Sequence, residues 1–344
     1  MTAAPERGAA MDRPIFIGGC MRSGTTLLMQ LLDCAREIAL PPYESYFMAN
    51  FYGAQARGGT TSLPAPSACL PQLGRLAHGV FSQFCESEWV RAEVSSARTY
   101  AEAFDAVCRE MAWQVGKRRW GDKTPGNEYF AADILEYFPS SRFIYVLRDP
   151  RDVVSSKRDR SGAAGGGRRE RVSEIWRSAW LWRSSEQAHR WNSAHLDPAR
   201  YREVRFEQLV SDPSVILDSL SDFVGADLGG IVSAAGGRFT FRQLGSGSHS
   251  RRRGASNTSY KDAAPAPGEI ASAPVGRHRS SLSVVERVVV SLLCGTMSRG
   301  IAAAHPPTSH RSFGGRERAL AFRRTRKAKF WFGQTDRQLT APLP

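Results

Sequence analysis

The stretch Ile15-Phe-Ile-Gly-Gly-Cys-Met-Arg-Ser-Gly-Thr-Thr26 determines the fold that we expect for this chain. Its first three residues are apolar and predict a buried strand, which ends at Gly18 and Gly19. A helix is predicted from near Thr25, where leucines recur at helical spacing. A strand, a glycine-rich turn and a helix N-terminus together favour the binding of an anion. Backbone N–H groups point into the turn, and the helix dipole adds about half a positive charge.

This turn has the spacing of a phosphate-binding loop, with one change. Four residues separate Gly19 from Gly24, and two threonines follow. Thr25 stands where a nucleotide triphosphatase carries lysine, and the cation of the loop is instead Arg22. Without that lysine and without an obvious acidic partner for a metal, the loop is poorly suited to hydrolysis of ATP or GTP. It suits a phosphate-like group that binds without Mg²⁺.

A second segment, residues 142–156, repeats the pattern of a strand followed by a helix. Residues 143–147 are rich in strand-forming side chains. Asp149 is a suitable N-cap, and Pro150 fits the first helical position. Arg148 at the end of the strand and Ser156 two turns into the helix are therefore placed where they could bind one anion.

These two segments resemble the sulfotransferases that use 3′-phosphoadenosine 5′-phosphosulfate (PAPS). The Arg-Ser-Gly-Thr-Thr sequence is most similar to the branch that contains the tyrosylprotein sulfotransferases and many bacterial enzymes. The resemblance covers about residues 15–300 and implies that Arg148 and Ser156 bind the 3′-phosphate of PAPS. It implies that the 5′-phosphosulfate is bound by the loop and the start of the first helix, through Arg22, Ser23, Gly24, Thr25, Thr26 and Leu27.

The resemblance also implies the catalytic groups. Lys123, in Trp120-Gly-Asp-Lys-Thr-Pro125, matches a family lysine that approaches the oxygen between sulfate and 5′-phosphate, where negative charge develops. Cytosolic relatives carry a histidine base at the position of Pro125. Here the base is expected to be Glu44, a little over twenty residues after Arg22. The alternatives are His78, or an acidic acceptor that needs no side-chain base.

Another segment, Tyr201 to Gly225, resembles a family strand and the helix that follows it. Many members have tyrosine where this chain has Phe206, so no cofactor role is transferred to Phe206. The late loop that closes over the cofactor is expected near residues 245–261, although no motif aligns there.

Alternating strands and helices favour an α/β fold, with a P-loop-type central parallel sheet flanked by helices. We expect a disordered leader over residues 1–12, a sulfotransferase domain over 13–300 and a flexible basic tail over 301–344. Six cysteines with no C-x-x-C pair, no signal peptide and no apolar run of eighteen residues indicate a cytoplasmic protein without a metal site. Two helices are predicted from apolar spacing: one within residues 82–116, and a closing helix over 281–297 that packs through Leu282, Val285, Val288 and Leu292.

The net charge of +14 comes from 47 basic and 33 acidic residues. Part belongs to the anion site, and much of the rest lies in Arg251-Arg-Arg253 and in the tail, where eight basic residues from Arg311 to Lys329 precede Phe330-Trp-Phe332. Such a tail is typically a solvated extension, although it could contact an anionic membrane surface. No specific nucleic acid is expected as a partner.

The sequence thus predicts transfer of a sulfuryl group from PAPS, as co-substrate and with no metal, to a hydroxyl of a sugar, a lipid or another small acceptor. Two rivals remain. A metal-dependent P-loop kinase or nucleotidase would use the same loop, and a non-catalytic nucleic-acid-binding protein would use the basic tail.

Overall fold

The structure is a computed structural model that describes residues 13–41, 43–52, 66–161, 166–229, 231 and 275–304. The predicted leader, the late loop near 245–261 and the tail beyond Ala304 lie outside the described residues. The last described helix ends at Ala304.

A parallel sheet forms the centre of the described fold. Its five strands run in the order β2-β3-β1-β4-β5, and every neighbouring pair is parallel. The strands are β1 (Ile15–Gly18), β2 (Ile38–Ala39), β3 (Arg119–Lys123), β4 (Arg142–Leu147) and β5 (Tyr201–Arg205). Because β1 pairs with both β3 and β4, the segments that follow these three strands meet at one edge of the sheet.

Helices cover both faces of the sheet. They are α1 (Thr25–Asp33), α2 (Leu70–Gly74), α3 (Ser82–Cys85), α4 (Glu88–Ser96), α5 (Tyr100–Gln114), α6 (Ala131–Tyr137), α7 (Pro150–Arg160), α8 (Arg168–His195), α9 (Phe206–Ser211), α10 (Pro213–Val224), α11 (His278–Ser281) and α12 (Val284–Ala304). Short turns lie at Met48–Tyr52, Pro66–Cys69, Ala77–Gly79 and Asn127–Phe130. The predicted α/β fold with a P-loop-type central parallel sheet is confirmed.

Alternation along the strands divides the core into two layers. Phe16 and Phe143 pack on one face, mainly against α5 and α6. Ile17 and Ile144 pack on the other face, against α1, α9 and α10. Burial on both faces explains why these strands are nearly continuous apolar runs.

Two helix predictions need correction. Residues 82–116 form three helices rather than one, because new N-caps interrupt the pattern at Ser87 and at Thr99, where Thr99 and Glu102 make a capping box. In α12 the predicted packing face is wrong for its helical residues. Val285, Val288 and Leu292 are exposed, whereas Val290 and Cys294 pack against α7 and α8.

The described part of the chain contains no helix long and apolar enough to cross a membrane. All six cysteines are free thiols.

The turn between β1 and α1 is held in a shape that only glycine adopts easily. Gly24 caps α1 in the left-handed region, at φ +94°. A Cβ atom placed on Gly24 would lie 2.1 Å from Cδ2 of Phe206. The loop therefore passes directly over the ring of Phe206 before the helix begins.

We expect Gly24→Ala to lower the free energy of unfolding by about 2 kcal/mol or more, through both the left-handed backbone and the contact with Phe206. Gly116→Ala is the matched control, because Gly116 has φ +74° and no atom within 4 Å of the added carbon. Thermal unfolding of the two variants measures the difference. Equal losses of stability would contradict the close contact with Phe206.

Candidate active site

The loop presents backbone N–H groups at the start of α1. Thr25, Thr26 and Leu27 form the first turn of this helix, and no described side chain caps it. The first N–H groups of a helix have no acceptor within the helix. The hydroxyl of Ser23 is buried beside them, with no hydrogen-bond partner among the described residues. A buried hydroxyl of this kind calls for a partner, which an anionic ligand at the helix N-terminus could supply.

Arg22 joins the loop to the second sequence motif. Its Nε donates to Oγ of Ser156 at 3.0 Å, and its backbone oxygen accepts from Nη1 of Arg148 at 3.1 Å. Arg22 itself has φ +75°, an uncommon conformation for a residue with a side chain. The structure thus brings Arg22, Arg148 and Ser156 together.

Two aromatic residues that the sequence did not assign to the site hold Arg148 in place. The guanidinium of Arg148 lies 4.1 Å from the ring centroid of Phe206, the same ring that packs under Gly24. On the other side, Nε1 of Trp182 donates to the backbone oxygen of Arg148 at 2.8 Å. A basic side chain after a strand is readable from sequence, whereas its supports come from α8 and α9 and carry no local signal.

Lys123 and Glu44 form a buried ion pair. Nζ of Lys123 donates to Oε1 of Glu44 at 2.5 Å, and the two residues are 1% and 7% exposed. Nearby residues are also joined, since the backbone N–H of Tyr46, two residues after Glu44, donates to Oγ1 of Thr124 at 3.3 Å. These contacts bring together two residues that are 79 positions apart in the sequence, with Lys123 at the end of the strand next to β1.

His78, the alternative base, lies in a different setting. It occupies an exposed left-handed turn at φ +58°, and its ring stacks edge-on against Tyr43 at 5.3 Å. Its described contacts are with Tyr43, the residue before Glu44, rather than with Lys123.

Glu128 is a buried carboxylate behind the loop that sequence analysis missed. Its Oε2 accepts from the backbone N–H groups of Gly19 and Gly126, both at 2.9 Å, and its Oε1 accepts from the hydroxyl of Ser185 at 2.5 Å. Burial raises the pKa of Glu128, and these hydrogen bonds oppose that rise. Glu128 therefore fixes the first amide of the loop to the turn after β3 and to helix α8.

Behind Glu128 the polar chain continues into the fold. The hydroxyls of Tyr145 and Ser185 are 3.1 Å apart, and the ring of Tyr145 stacks on His189 at 4.1 Å. His189 in turn lies 3.0 Å from the hydroxyl of Tyr201 and 2.7 Å from Oε2 of Glu203. A buried network of this length fixes the loop only while every member keeps its partner.

A cavity adjoins the loop and the residues that follow Lys123 and Glu44 in the sequence. It measures about 620 Å³ with its open mouth included. One wall is the first part of the loop, and another is the segment that follows Lys123. Its lining residues are Gly19, Cys20, Met21, Tyr46, Ala49, Thr124, Pro125, Gly126, Asn127, Glu128, Tyr129, Phe130, Leu181 and Ser185.

Comparison with known proteins gives a consistent result. The sequence pattern described as the sulfotransferase family matches residues 14–229. The chain is 24% identical, over 215 residues, to a predicted protein-tyrosine sulfotransferase of Caenorhabditis briggsae; the match covers 62% of this chain and 65% of that protein, so it spans less than two thirds of the relative. The sulfotransferase domain of the Synechococcus PCC 7002 olefin synthase shares the fold, with a TM-score of 0.51 at 19% identity over 87% of this chain and 98% of that domain.

Substitutions at Glu128 test whether its role as a hydrogen-bond acceptor holds the loop. Glu128→Gln keeps an oxygen that can accept from both glycine amides, so we expect nearly normal stability. Glu128→Met has a similar size but no strong acceptor, and it should cost roughly 2–6 kcal/mol, at about 1–3 kcal/mol for each amide left unsatisfied. Denaturant unfolding of both variants measures this difference. Equal destabilisation would show that the charge of Glu128, and not its acceptor role, holds the loop.

Proposed function

This chain belongs to the sulfotransferase family, and from that premise we propose that it transfers a sulfuryl group from PAPS to an acceptor hydroxyl. The observation that carries the proposal is the contact of Arg22 with both Arg148 and Ser156, which lie 126 and 134 positions away. It joins a loop suited to one phosphate-like group to a pair of residues suited to a second. A ligand with anionic groups at both its 5′ and 3′ positions matches this arrangement.

The residues present fit such a ligand. The uncapped N-terminus of α1 and the buried hydroxyl of Ser23 suit the 5′-phosphosulfate. Arg22 adds a guanidinium that can bind two oxygens of one anion. Arg148 and Ser156 suit the 3′-phosphate. When bound, PAPS supplies the activated sulfuryl group, and the protein supplies charge, orientation and a base.

Lys123 and Glu44 have complementary parts in the proposed reaction. Glu44 accepts the proton of the acceptor hydroxyl, and Lys123 donates to the oxygen that carries the developing negative charge. Lys123 is paired with Oε1 of Glu44 through one N–H, and an ammonium has further N–H donors with which it can contact that oxygen.

The 3′-phosphate site predicts a preference between two nucleotides. We expect 3′-phosphoadenosine 5′-phosphate (PAP) to bind about a hundredfold or more tightly than AMP. Each charge-assisted hydrogen bond to a phosphate is worth about 1.5–3 kcal/mol, and 1.4 kcal/mol is a factor of ten. Calorimetry with both nucleotides measures the preference, and equal affinities would remove the PAPS assignment.

Arg148→Ala should abolish that preference while AMP still binds. Arg202→Ala is the matched control, because Arg202 also lies over an aromatic ring, 4.7 Å from the centroid of Phe223. We expect the control to keep the full preference for PAP. If both variants behave alike, Arg148 has no specific role in recognising the 3′-phosphate.

Glu44→Gln tests the base. The amide keeps the shape of the side chain but cannot take up the proton, so kcat should fall about a hundredfold or more while PAP affinity survives. The comparison variant is His78→Ala, which should leave kcat nearly unchanged. Near-normal turnover in Glu44→Gln together with a collapse in His78→Ala would move the base to His78.

A further inference from the structure

We infer that the acceptor is an alcohol or phenol on an apolar carbon skeleton, rather than a sugar, a peptide or an anionic polymer. This inference rests on the proposed function, because it identifies the cavity beside the loop as the acceptor site. The cavity is lined by residues that are close in sequence to the proposed catalytic groups. Thr124 directly follows Lys123, Tyr46 lies two residues after Glu44, and Met21 precedes Arg22.

The walls of the cavity are mostly carbon. Met21 and Ala49 contribute aliphatic surface, as do Pro125 and Leu181, and Phe130 contributes an aromatic ring. Met21 is unbranched and can adapt to the shape of a ligand. Burying an apolar skeleton against these walls is favourable, at about 25 cal/mol for each Å² removed from water.

Several polar side chains of the lining already have partners within the protein. Nδ2 of Asn127 donates to Oδ2 of Asp122 at 2.8 Å, and Oγ1 of Thr124 accepts from the N–H of Tyr46. Glu128 and Ser185 bond to each other and to further groups. A sugar would exchange its hydrogen bonds with water for few new ones here, at a cost of about 1–3 kcal/mol for each group left unsatisfied.

The ionisable side chains of the lining also disfavour a charged acceptor. Among the lining residues that the structure describes there is no lysine, arginine or histidine, and the one carboxylate belongs to Glu128. Burial raises the pKa of Cys20 to about 12, and it also raises the pKa of Tyr46 and of Tyr129, so these three groups are neutral. An anionic acceptor would meet a negative charge with no cation of the lining to balance it.

A homologous series of alcohols tests the inference. With labelled PAPS, primary alcohols of increasing chain length should show kcat/KM rising about fourfold for each added methylene, the equivalent of about 0.8 kcal/mol. The rise should stop when the cavity is full. Glucose, trehalose, a tyrosine-containing peptide and a sulfated glycan serve as competitors. A higher kcat/KM for any of these, or no dependence on chain length, would overturn the inference.

A side chain that fills part of the cavity should lower the chain length at which kcat/KM stops increasing. In Ala49→Phe, we expect kcat/KM to stop rising at a shorter alcohol chain than in the unaltered protein. The affinity for PAP should not change. Ala92→Phe is the matched control, since Ala92 is exposed on α4, outside the lining, and it should leave the series unaltered. If Ala49→Phe does not fold, Leu181→Asn replaces it and should reduce kcat/KM for long alcohols about tenfold more than for short ones. An unaltered series in a folded variant would overturn the inference.

PAP binding, measured on the same preparation, distinguishes failure of the proposed function from failure of the acceptor class alone. If PAP binds no better than AMP, the proposed function fails, and the acceptor class fails with it. If PAP binds preferentially but sugars or peptides are sulfated, or no alcohol is, then the acceptor class alone is wrong.

Discussion

The loop between β1 and α1 can face an anion because buried groups hold it from behind. Glu128 bonds to the amide of Gly19 at the start of the loop, and Phe206 packs against Gly24 at its end. Between these two points the backbone must turn so that the N–H groups of α1 face outward. A carboxylate close to an anion site repels an anionic ligand. We therefore interpret Glu128 as an anchor of the loop, whose hydrogen bonds outweigh the cost of that repulsion.

The anchoring also explains which elements meet at the site. Glu128 follows β3, Arg148 follows β4 and Phe206 begins α9 after β5, so each comes from the carboxyl edge of the sheet. Parallel strands bring these ends together automatically, which is why binding sites occur at this edge in α/β folds. Helix α8 closes the arrangement from one side, through Ser185 on Glu128 and Trp182 on Arg148.

This geometry separates what sequence could predict from what it could not. The loop and Arg148 each follow an apolar run, and strand ends of a parallel sheet converge, so their proximity follows from pattern. Lys123 ends a strand with the sequence Arg-Trp-Gly-Asp-Lys, which is not apolar, and its place was expected only from the family resemblance. The capping box at Thr99 was also readable, although the prediction of one helix over 82–116 overlooked it. The role of Glu128 could not be read from the sequence. Its hydrogen bond to Gly19 spans 109 positions, and a single glutamate in a turn has no distinguishing pattern.

The closing helix shows a different reason for failure. Its apolar residues occur on two sides, so spacing predicted one face and packing used the other, with Val290 against α7 and α8. Periodicity identifies a helix with an apolar face but cannot choose between two such faces. That choice is made by the groove into which the helix fits, which depends on residues more than a hundred positions away.

The two cations of the site are compensated in different ways. Arg148 lies 3.7 Å from Asp152, a carboxylate that also accepts from the N–H groups of Gly276 and His278 and bonds to the His278 ring at 2.7 Å. Asp152 thus keeps several donors if Arg148 turns toward a phosphate. Glu44, by contrast, would lose the buried ammonium of Lys123 if that side chain moved away.

Removing one partner of a buried ion pair is expensive, because the other charge remains desolvated. In the proposed reaction neither ion pair has to be given up. Asp152 keeps its other donors when Arg148 contacts a phosphate. The ammonium of Lys123 has three N–H donors, so it can stay on Glu44 while it also contacts the oxygen on which negative charge develops. A shared ammonium of this kind would hold the proposed base close to the leaving oxygen in one buried site.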